Sequence, residues 1–538
     1  MQKNSDSITR KTLALYIFIA IFGSLIANFV ADYVQARNNA SDPRLTELTR
    51  ILDIIDQHYV EDVMPDDLID HAIDGMLLQL DPYSNYMKKE SYDDLMLHSK
   101  GEFGGLGIRI AIRNEVLTII APIEGTPAKQ VGISAGDQII SVEEESTTGW
   151  TVQDAIEVLR GPKGSEVRIT VRRPGATETI DFKIVRDIIQ IHSVPYAFMM
   201  TDEIGYIGVV EFSEKTSDEL NQAIDELKEE GMESLILDLR NNPGGLLEAA
   251  IEVSDIFLDK DKMIVYTRGR TLEQNQEFTA RFPLPRHNRI LLAVLVNEGS
   301  ASASEIVAGA IQDHDAGIII GKETFGKGSV QSIFPLSDTR ALKLTTAKYY
   351  TPSGRCIHKD RDHDDLEVLS DSSDIDISEE EDTEREKFKT SGNRTVYGGG
   401  GITPDMIREG YKYSDLMRDI FRESILFDFT VGYVNQHPDA DLTVTEKMRH
   451  SFFDFITEET EISVTKEEFE EIREELTQEM RYNLALTLYN EERAQAVRLE
   501  KNPQVQHAID CLKKATGIHD LIQLASVESD EGSDLKEK

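Results

Sequence analysis

The sequence predicts a multidomain α/β chain with a helical N-terminal segment, a β-rich domain, an α/β core and a helical C-terminal domain. Three observations carry that reading. Between residues 189 and 409, short runs of branched apolar residues alternate with stretches of helical spacing, the pattern of a parallel sheet with crossover helices. Ahead of it, residues 98–188 hold short alternating runs punctuated by glycine and proline. Behind it, residues 410–525 keep helical periodicity throughout. At 538 residues the chain has length for several such units.

The N-terminal 1–36 begins with Lys3, Arg10 and Lys11, followed by the uncharged run Leu13–Ala31, closed by Asp32. That length falls between a signal-peptide core and a membrane span. Val34-Gln35-Ala36 is a weak cleavage site, so an uncleaved anchor is favoured over a removed signal. The basic flank stays cytoplasmic, which places the rest on the periplasmic side of an inner membrane. Residues 41–97 form a helical segment: Leu45, Leu48, Ile51, Leu52, Ile55 and His58 recur at threes and fours. A second helix ends at Asp81-Pro82.

In the β-rich domain, Gly104-Gly105-Leu106-Gly107-Ile108 leads into an alternating strand, Val116–Ile120. Next come Gly132–Val142, a helix over Val152–Arg160 and a strand over Val167–Val171. Gly132–Val142 resembles the signature of a PDZ domain, and the order of elements fits the same plan. In such a domain the Gly104–Ile108 loop offers backbone N–H groups to a peptide's terminal carboxylate, and the peptide adds a strand at the sheet edge. Arg160, ending the helix, is a candidate for coupling this domain to the core.

The core opens with a strand at Ile204–Val210, a helix at Ser217–Glu230 and a strand at Ser234–Leu239. The loop Arg240-Asn241-Asn242-Pro243-Gly244-Gly245-Leu246 then precedes a helix at Leu247–Phe257. Arg289–Val296 reads as a buried strand breaking into Asn297–Ser304, a turn of small residues, before a helical stretch at Glu305–Gln312. A strand entering such a turn at a helix start places side chains at the rim of a sheet, where the first N–H groups of the helix face negative charge. An acyl-transfer nucleophile and its oxyanion donors sit in such places. Further on, Lys327 lies between Gly326 and Gly328. Glycine is entropically costly, and what it permits is close backbone approach. A neutral lysine amine can serve as base for a serine. Lowering a lysine from ~10.4 to ~7.5 takes about 4 kcal/mol of differential stabilisation, which a dry pocket supplies by disfavouring the charged form.

Gly299–Ile306 and Phe325–Gln331 together resemble the two catalytic blocks of the carboxyl-terminal processing peptidases, serine peptidases with a Ser/Lys dyad and a PDZ domain. The resemblance implies an endopeptidase that recognises accessible C-terminal tails of exported proteins. It puts the nucleophile on Ser302, the base on Lys327 and an orienting glutamine on Gln331. It implies an oxyanion hole of Ala303 with Gly244 or Gly245. It also implies a homodimer through the N-terminal helices.

A Ser–His–Asp triad using His314 is disfavoured, because the helix after Ser304 carries it roughly 15 Å along its axis. Asp313 is read as a structural polar residue, and His192 has no supporting motif. Ala341–Tyr350 reads as a strand. Residues 360–394 read as an acidic disordered insertion, 360–386 alone holding 14 Asp or Glu. Gly398–Asp405 returns to the family pattern. In 410–525, Glu467–Leu486 reads as one helix, and the roles open to this domain are packing on the core, dimer contact or adaptor binding. The tail 526–538 reads as disordered. A net charge of −41 argues against nucleic-acid binding through phosphates, which requires a basic face. Cys356 and Cys511 are read as structural thiols, and the chemistry implied needs no metal or cofactor. Two other classes compete: a non-catalytic peptide-binding scaffold or chaperone, and an acyl-CoA hydratase-type enzyme.

Overall fold

The computed structural model describes residues 42–283, 290–361, 385–460 and 462–536, with side chains to residue 527. Residues 1–36, expected to be an anchor or signal segment, lie outside them. Among the described residues no helix is long and apolar enough to cross a membrane. The chain divides into two units, 1–86 and 87–538. The first holds the helices Pro43–His58 and Pro65–Leu77, both begun by a proline whose missing N–H costs nothing in a first turn. Leu45, Leu48, Ile51 and Ile54 form an exposed stripe along the first helix.

The second unit is built on a six-stranded sheet. In spatial order its strands are Tyr196–Met199, Ile204–Gly208, Ser234–Asp238, Leu291–Val296, Ile318–Gly321 and Met406–Ile407. The first pairing is antiparallel and the others are parallel. A parallel sheet is covered on both faces, so its strands are apolar on both. Ile207, Leu235, Leu237, Leu292, Val294 and Ile319 face one cluster, which includes residues of the helices Thr216–Glu229, Leu247–Phe257 and Ala303–Asp313. Tyr206, Ile236, Ala293, Leu295, Ile318 and Ile320 face the other, with Val505, Ala508 and Leu512 of the helix Pro503–Lys514.

The C-terminal region is therefore not a single separate body. Its end covers the core sheet, while Met417, Phe452, Leu476 and Leu484 belong to a cluster of their own. The helix expected over Glu467–Leu486 is two helices, Lys466–Glu471 and Arg473–Leu488, broken at Ile472, whose ψ is 9°. The disorder expected after residue 525 is corrected by a helix, Ile518–Lys536, anchored by buried Leu521 and Ala525. The insertion ends earlier than expected. Lys387–Lys389 and Thr395–Tyr397 pair as a hairpin, and Arg394 ties the neighbouring turn to Asp315 and Asp405. The acidic residues 362–384 lie outside the described residues.

The PDZ-like sheet runs Ile108–Arg113, Val116–Pro122, Gln138–Val142, Glu166–Arg172, Ile180–Val185, which leaves Ile108–Arg113 at an edge. A helix the sequence reading did not resolve, Lys89–Lys100, precedes this domain. The C-terminal helices also reach the domain. Arg113 lies 4.5 Å over the Phe427 ring and 3.3 Å from Asp428, and Asn435 donates to the Pro174 carbonyl. Glu491 pairs with Arg109 and accepts from the Tyr196 hydroxyl of the core at 2.8 Å.

Candidate active site

The site lies beyond the carboxyl ends of two neighbouring parallel strands, Ser234–Asp238 and Leu291–Val296. Leu291–Val296 runs into the serine-rich turn. Ser300 is fully buried and its hydroxyl donates to the Leu239 carbonyl at 2.8 Å; Ser304 is fully buried and donates to the Asn242 carbonyl at 2.9 Å. Both hydroxyls serve the loop. Ser302 is half-buried and holds φ +56° and ψ −111°, a conformation that costs a non-glycine residue energy and must be imposed by its surroundings. Such a strained turn between strand and helix lifts a side chain clear of the sheet.

Glu305 imposes much of that geometry. It is completely buried, and its carboxylate accepts four hydrogen bonds. One oxygen takes the Thr324 hydroxyl at 2.6 Å and the Gly326 amide at 2.7 Å. The other takes the amides of Ser302 at 2.8 Å and Lys327 at 2.9 Å. Burial pushes this carboxyl above its ordinary range, and the four donors work in the opposite direction. On the carbonyl side, the Tyr349 hydroxyl is shared between Ser302 at 3.0 Å and Lys327 at 2.7 Å. Two independent bridges thus hold the same two residues together, across 25 positions of sequence. Lys327 is itself half-buried. The glycines beside it admit the segment 357–359: a Cβ at Gly328 would meet the His358 amide at 2.8 Å, and one at Gly326 would meet Lys359 at 3.0 Å.

The loop after Ser234–Asp238 packs against this turn. A Cβ on Gly244 would stand 2.7 Å from the Ala301 carbonyl and 2.9 Å from the Ala303 amide. The two glycines, at φ +100° and +147°, differ in what their amides do. That of Gly244 donates to the Asn242 side chain at 2.9 Å. Gly245 is bracketed by a bridge to Phe212: the Phe212 amide donates to the Gly244 carbonyl, and the Leu246 amide to the Phe212 carbonyl. Neither bond uses the Gly245 amide. Ala303 is the first residue of its helix, where an N–H has no partner within the helix.

Gln331, two residues into the strand Ser329–Ser337, donates its amide to Ser329 at 3.0 Å and Thr345 at 3.3 Å. Asp313 accepts from fully buried Arg355 at 2.9 Å and from the Ser353 amide at 2.9 Å. The His314 Nε2 lies 2.6 Å from the Met263 carbonyl, and the His192 ring is 3.1 Å from Glu219.

In the PDZ-like domain, Gly104 and Gly105 form part of the strand Glu102–Gly105, paired with Asp187–Gln190. Glycine is required at 104 by the Gly161 carbonyl, 2.2 Å from where a Cβ would stand. The loop proper is Leu106-Gly107, leading into Ile108 at the sheet edge, with Gly107 at φ +78°. Among the described residues, no hydrogen bond or ion pair joins the Arg160 side chain to the core directly. It bonds Asp94 at 3.0 Å and lies 4.8 Å over the Phe103 ring. The helix bearing Asp94 reaches the core through His98, 3.1 Å from Glu211, and through the Ser99 carbonyl, bonded by the Glu214 amide. Phe212, the partner of the Gly244-Gly245 loop, lies between those two glutamates.

Sequence reasoning missed Glu305 and Tyr349. For Glu305 the S-x-x-E spacing was available, but it signals no more than a helix cap.

Residues 203–368 match the Peptidase family S41, residues 118–173 a PDZ domain, and residues 21–91 the activating protease CtpB N-terminal domain. A carboxy-terminal-processing protease of Bartonella bacilliformis is 42% identical over 355 residues, covering 65% of this chain and 80% of the relative. The carboxy-terminal processing protease CtpA of Bacillus subtilis is 36% identical over 365 residues, covering 65% and 76%. Among solved structures, a photosystem II D1 C-terminal processing protease is 26% identical, with 58% of this chain and 89% of that one covered. The TM-score of that pair is 0.32.

Proposed function

Because the chain belongs to the carboxy-terminal processing proteases, serine-type peptidases that carry a PDZ domain, we propose that Ser302 is its nucleophile and Lys327 its general base. The observation that carries this is the double bridge: one carboxylate holds both amides and one hydroxyl holds both carbonyls. The uncharged Lys327 amine takes the Ser302 proton as Oγ attacks the scissile carbonyl. The oxyanion is received by the amides of Ala303 and Gly245, since that of Gly244 is already engaged by Asn242. The protonated lysine passes its proton to the leaving amine, and water then releases the acyl-enzyme by the same route. Ser302 and Lys327 are only half-buried, so a bound polypeptide completes the exclusion of water that keeps the amine neutral. Gln331, on the strand after Lys327, orients its neighbours Ser329 and Thr345 beside the base.

The substrate class is unfolded or extended protein with an accessible C-terminus. Its terminal carboxylate meets the amides of Leu106, Gly107 and Ile108, and its last residues add to the open edge of Ile108–Arg113. Tethering the tail in this way raises the local concentration of the cleavable segment. The uncharged run Leu13–Ala31 behind three basic residues supports an anchored placement on the periplasmic side of the inner membrane. The exposed stripe on Pro43–His58 supports a homodimer. With the family established, neither the scaffold nor the hydratase-type reading is retained. The test incubates casein with wild type, Ser302→Ala and Lys327→Ala. Cleavage by wild type alone is expected, and equal degradation by all three removes the assignment.

A further inference from the structure

We propose that Met406, His507 and Cys511 form a binding site for a soft monovalent metal ion, Cu(I), between the core sheet and the helix Pro503–Lys514. His507 and Cys511 are four residues apart on that helix and so share a face. Met406 opens the short strand Met406–Ile407, which pairs with the end of Ile318–Gly321. The three donor atoms converge. Cys511 Sγ lies 3.7 Å from Met406 Sδ and 3.6 Å from His507 Nε2, and that nitrogen lies 3.3 Å from the thioether.

With metal–sulfur bonds of about 2.3 Å and metal–nitrogen bonds of about 2.0 Å, a trigonal ion needs donors about 4.0 Å apart for two sulfurs and about 3.7 Å for sulfur and nitrogen. The observed triangle is smaller by a few tenths of an ångström, within reach of small side-chain rotations.

Donor chemistry selects the ion. Thioether and thiolate favour Cu(I), whereas hard divalent ions favour oxygen. Charge selects it too. Met406 and Cys511 are 3% and 5% exposed, within an apolar cluster that includes Ile318, Ile320 and Leu512. One thiolate cancels one monovalent charge, while a divalent ion would leave net charge buried at high cost. His507 is half-buried and gives the route in. Simple packing of a thiol beside a thioether does not require an imidazole nitrogen within reach of both sulfurs. The site lies apart from the proposed dyad and is independent of the peptidase reading.

The test titrates the reduced, full-length protein with Cu(I) buffered by bicinchoninate, without oxygen. Met406→Leu, His507→Gln, Cys511→Ser and Cys356→Ser are run beside wild type, with casein cleavage as a check of folding. One equivalent should bind to wild type and to Cys356→Ser, with an absorption-edge spectrum fitted by two sulfurs and one nitrogen. Each of the other three variants should bind at least about 30-fold more weakly. Met406→Leu conserves volume, so an active Met406→Leu protein with wild-type Cu(I) affinity overturns the site. Binding that is lost with Cys356 rather than Cys511 also overturns it, as does Zn(II) displacing Cu(I) at equal concentration.

Discussion

Replacing Glu305 with glutamine perturbs the active site without changing its volume. Its carboxylate is completely buried and faces four donors, three of them backbone amides that cannot turn away. A glutamine places its NH2 group against one pair. Toward Ser302 and Lys327 it sets donor against two amides; toward Thr324 and Gly326 the hydroxyl can turn but the Gly326 amide cannot. One or two buried amides therefore lose their acceptor, at about 2 kcal/mol each as the middle of the usual range, or about 2–4 kcal/mol in all. If that loss falls on the alignment of Ser302 with Lys327, kcat drops about 30- to 1,000-fold, at about 1.4 kcal/mol per tenfold. KM should change little, because Glu305 has no role in holding the tail.

The pH profile gives a second readout. Burial raises the Glu305 pKa, and only the ionised carboxylate accepts from all three amides on its two oxygens, so wild-type activity should fall on the acid side above the ordinary glutamate range. The linkage sign runs the other way for stability. A carboxyl raised by the fold is held protonated more tightly than in the unfolded chain, so its contribution diminishes as pH rises through the raised value. The assay is steady-state casein cleavage from pH 4 to 9 with a parallel thermal melt. A Glu305→Gln protein with wild-type kcat and an unchanged acid limb would show that this carboxylate does not align Ser302 with Lys327.

Other substitutions test separate parts of the account. Gly245→Ala puts a Cβ 2.1 Å from the Phe212 carbonyl at φ +147°, so the loop must shift and kcat should fall at least ~10²-fold in single-turnover assays, as for loss of one oxyanion donor. A fully active Gly245→Ala would remove that amide from the mechanism. Arg160→Ala should abolish stimulation of cleavage by a free C-terminal peptide while basal cleavage persists, because it cuts the contact to Asp94; unchanged stimulation ends its coupling role. The hydrogen bond to Glu219 raises the His192 pKa, so its stabilising effect is complete below about 6.5 and lost as pH rises through the raised value. His192→Gln should flatten the thermal stability of the protein across that window while leaving cleavage intact, and a His192→Gln protein that no longer cleaves would contradict its placement outside the site.

Much of the core was legible because burial on both faces leaves an unmistakable composition. The expected helix Leu247–Phe257 matches the observed bounds, and Leu291–Val296 begins only two residues later than expected. What a pattern cannot show is where a side chain's partner comes from. Ser300, Ser302 and Ser304 look alike in sequence; only the carbonyls of Leu239 and Asn242, some sixty positions earlier, distinguish them. The two loop glycines were equally open, and the Asn242 side chain separates them. Lys89–Lys100 does not stand out as a separate helix within and beyond the helical segment expected over 41–97, because it buries none of its residues and shows no strong apolar face. The division of the C-terminal helices was hidden for a related reason: an apolar face does not say whether it meets a sheet or another helix.

Whether Ser302 forms the acyl-enzyme with Lys327 as its base can be read by intact-protein mass spectrometry during rapid-quench cleavage of an activated ester peptide. A transient mass increase equal to the acyl group is expected, mapped by digestion to Ser302, absent from Ser302→Ala and suppressed in Lys327→Ala at neutral pH. An adduct on any other residue, or one that forms as fast without Lys327, would contradict it.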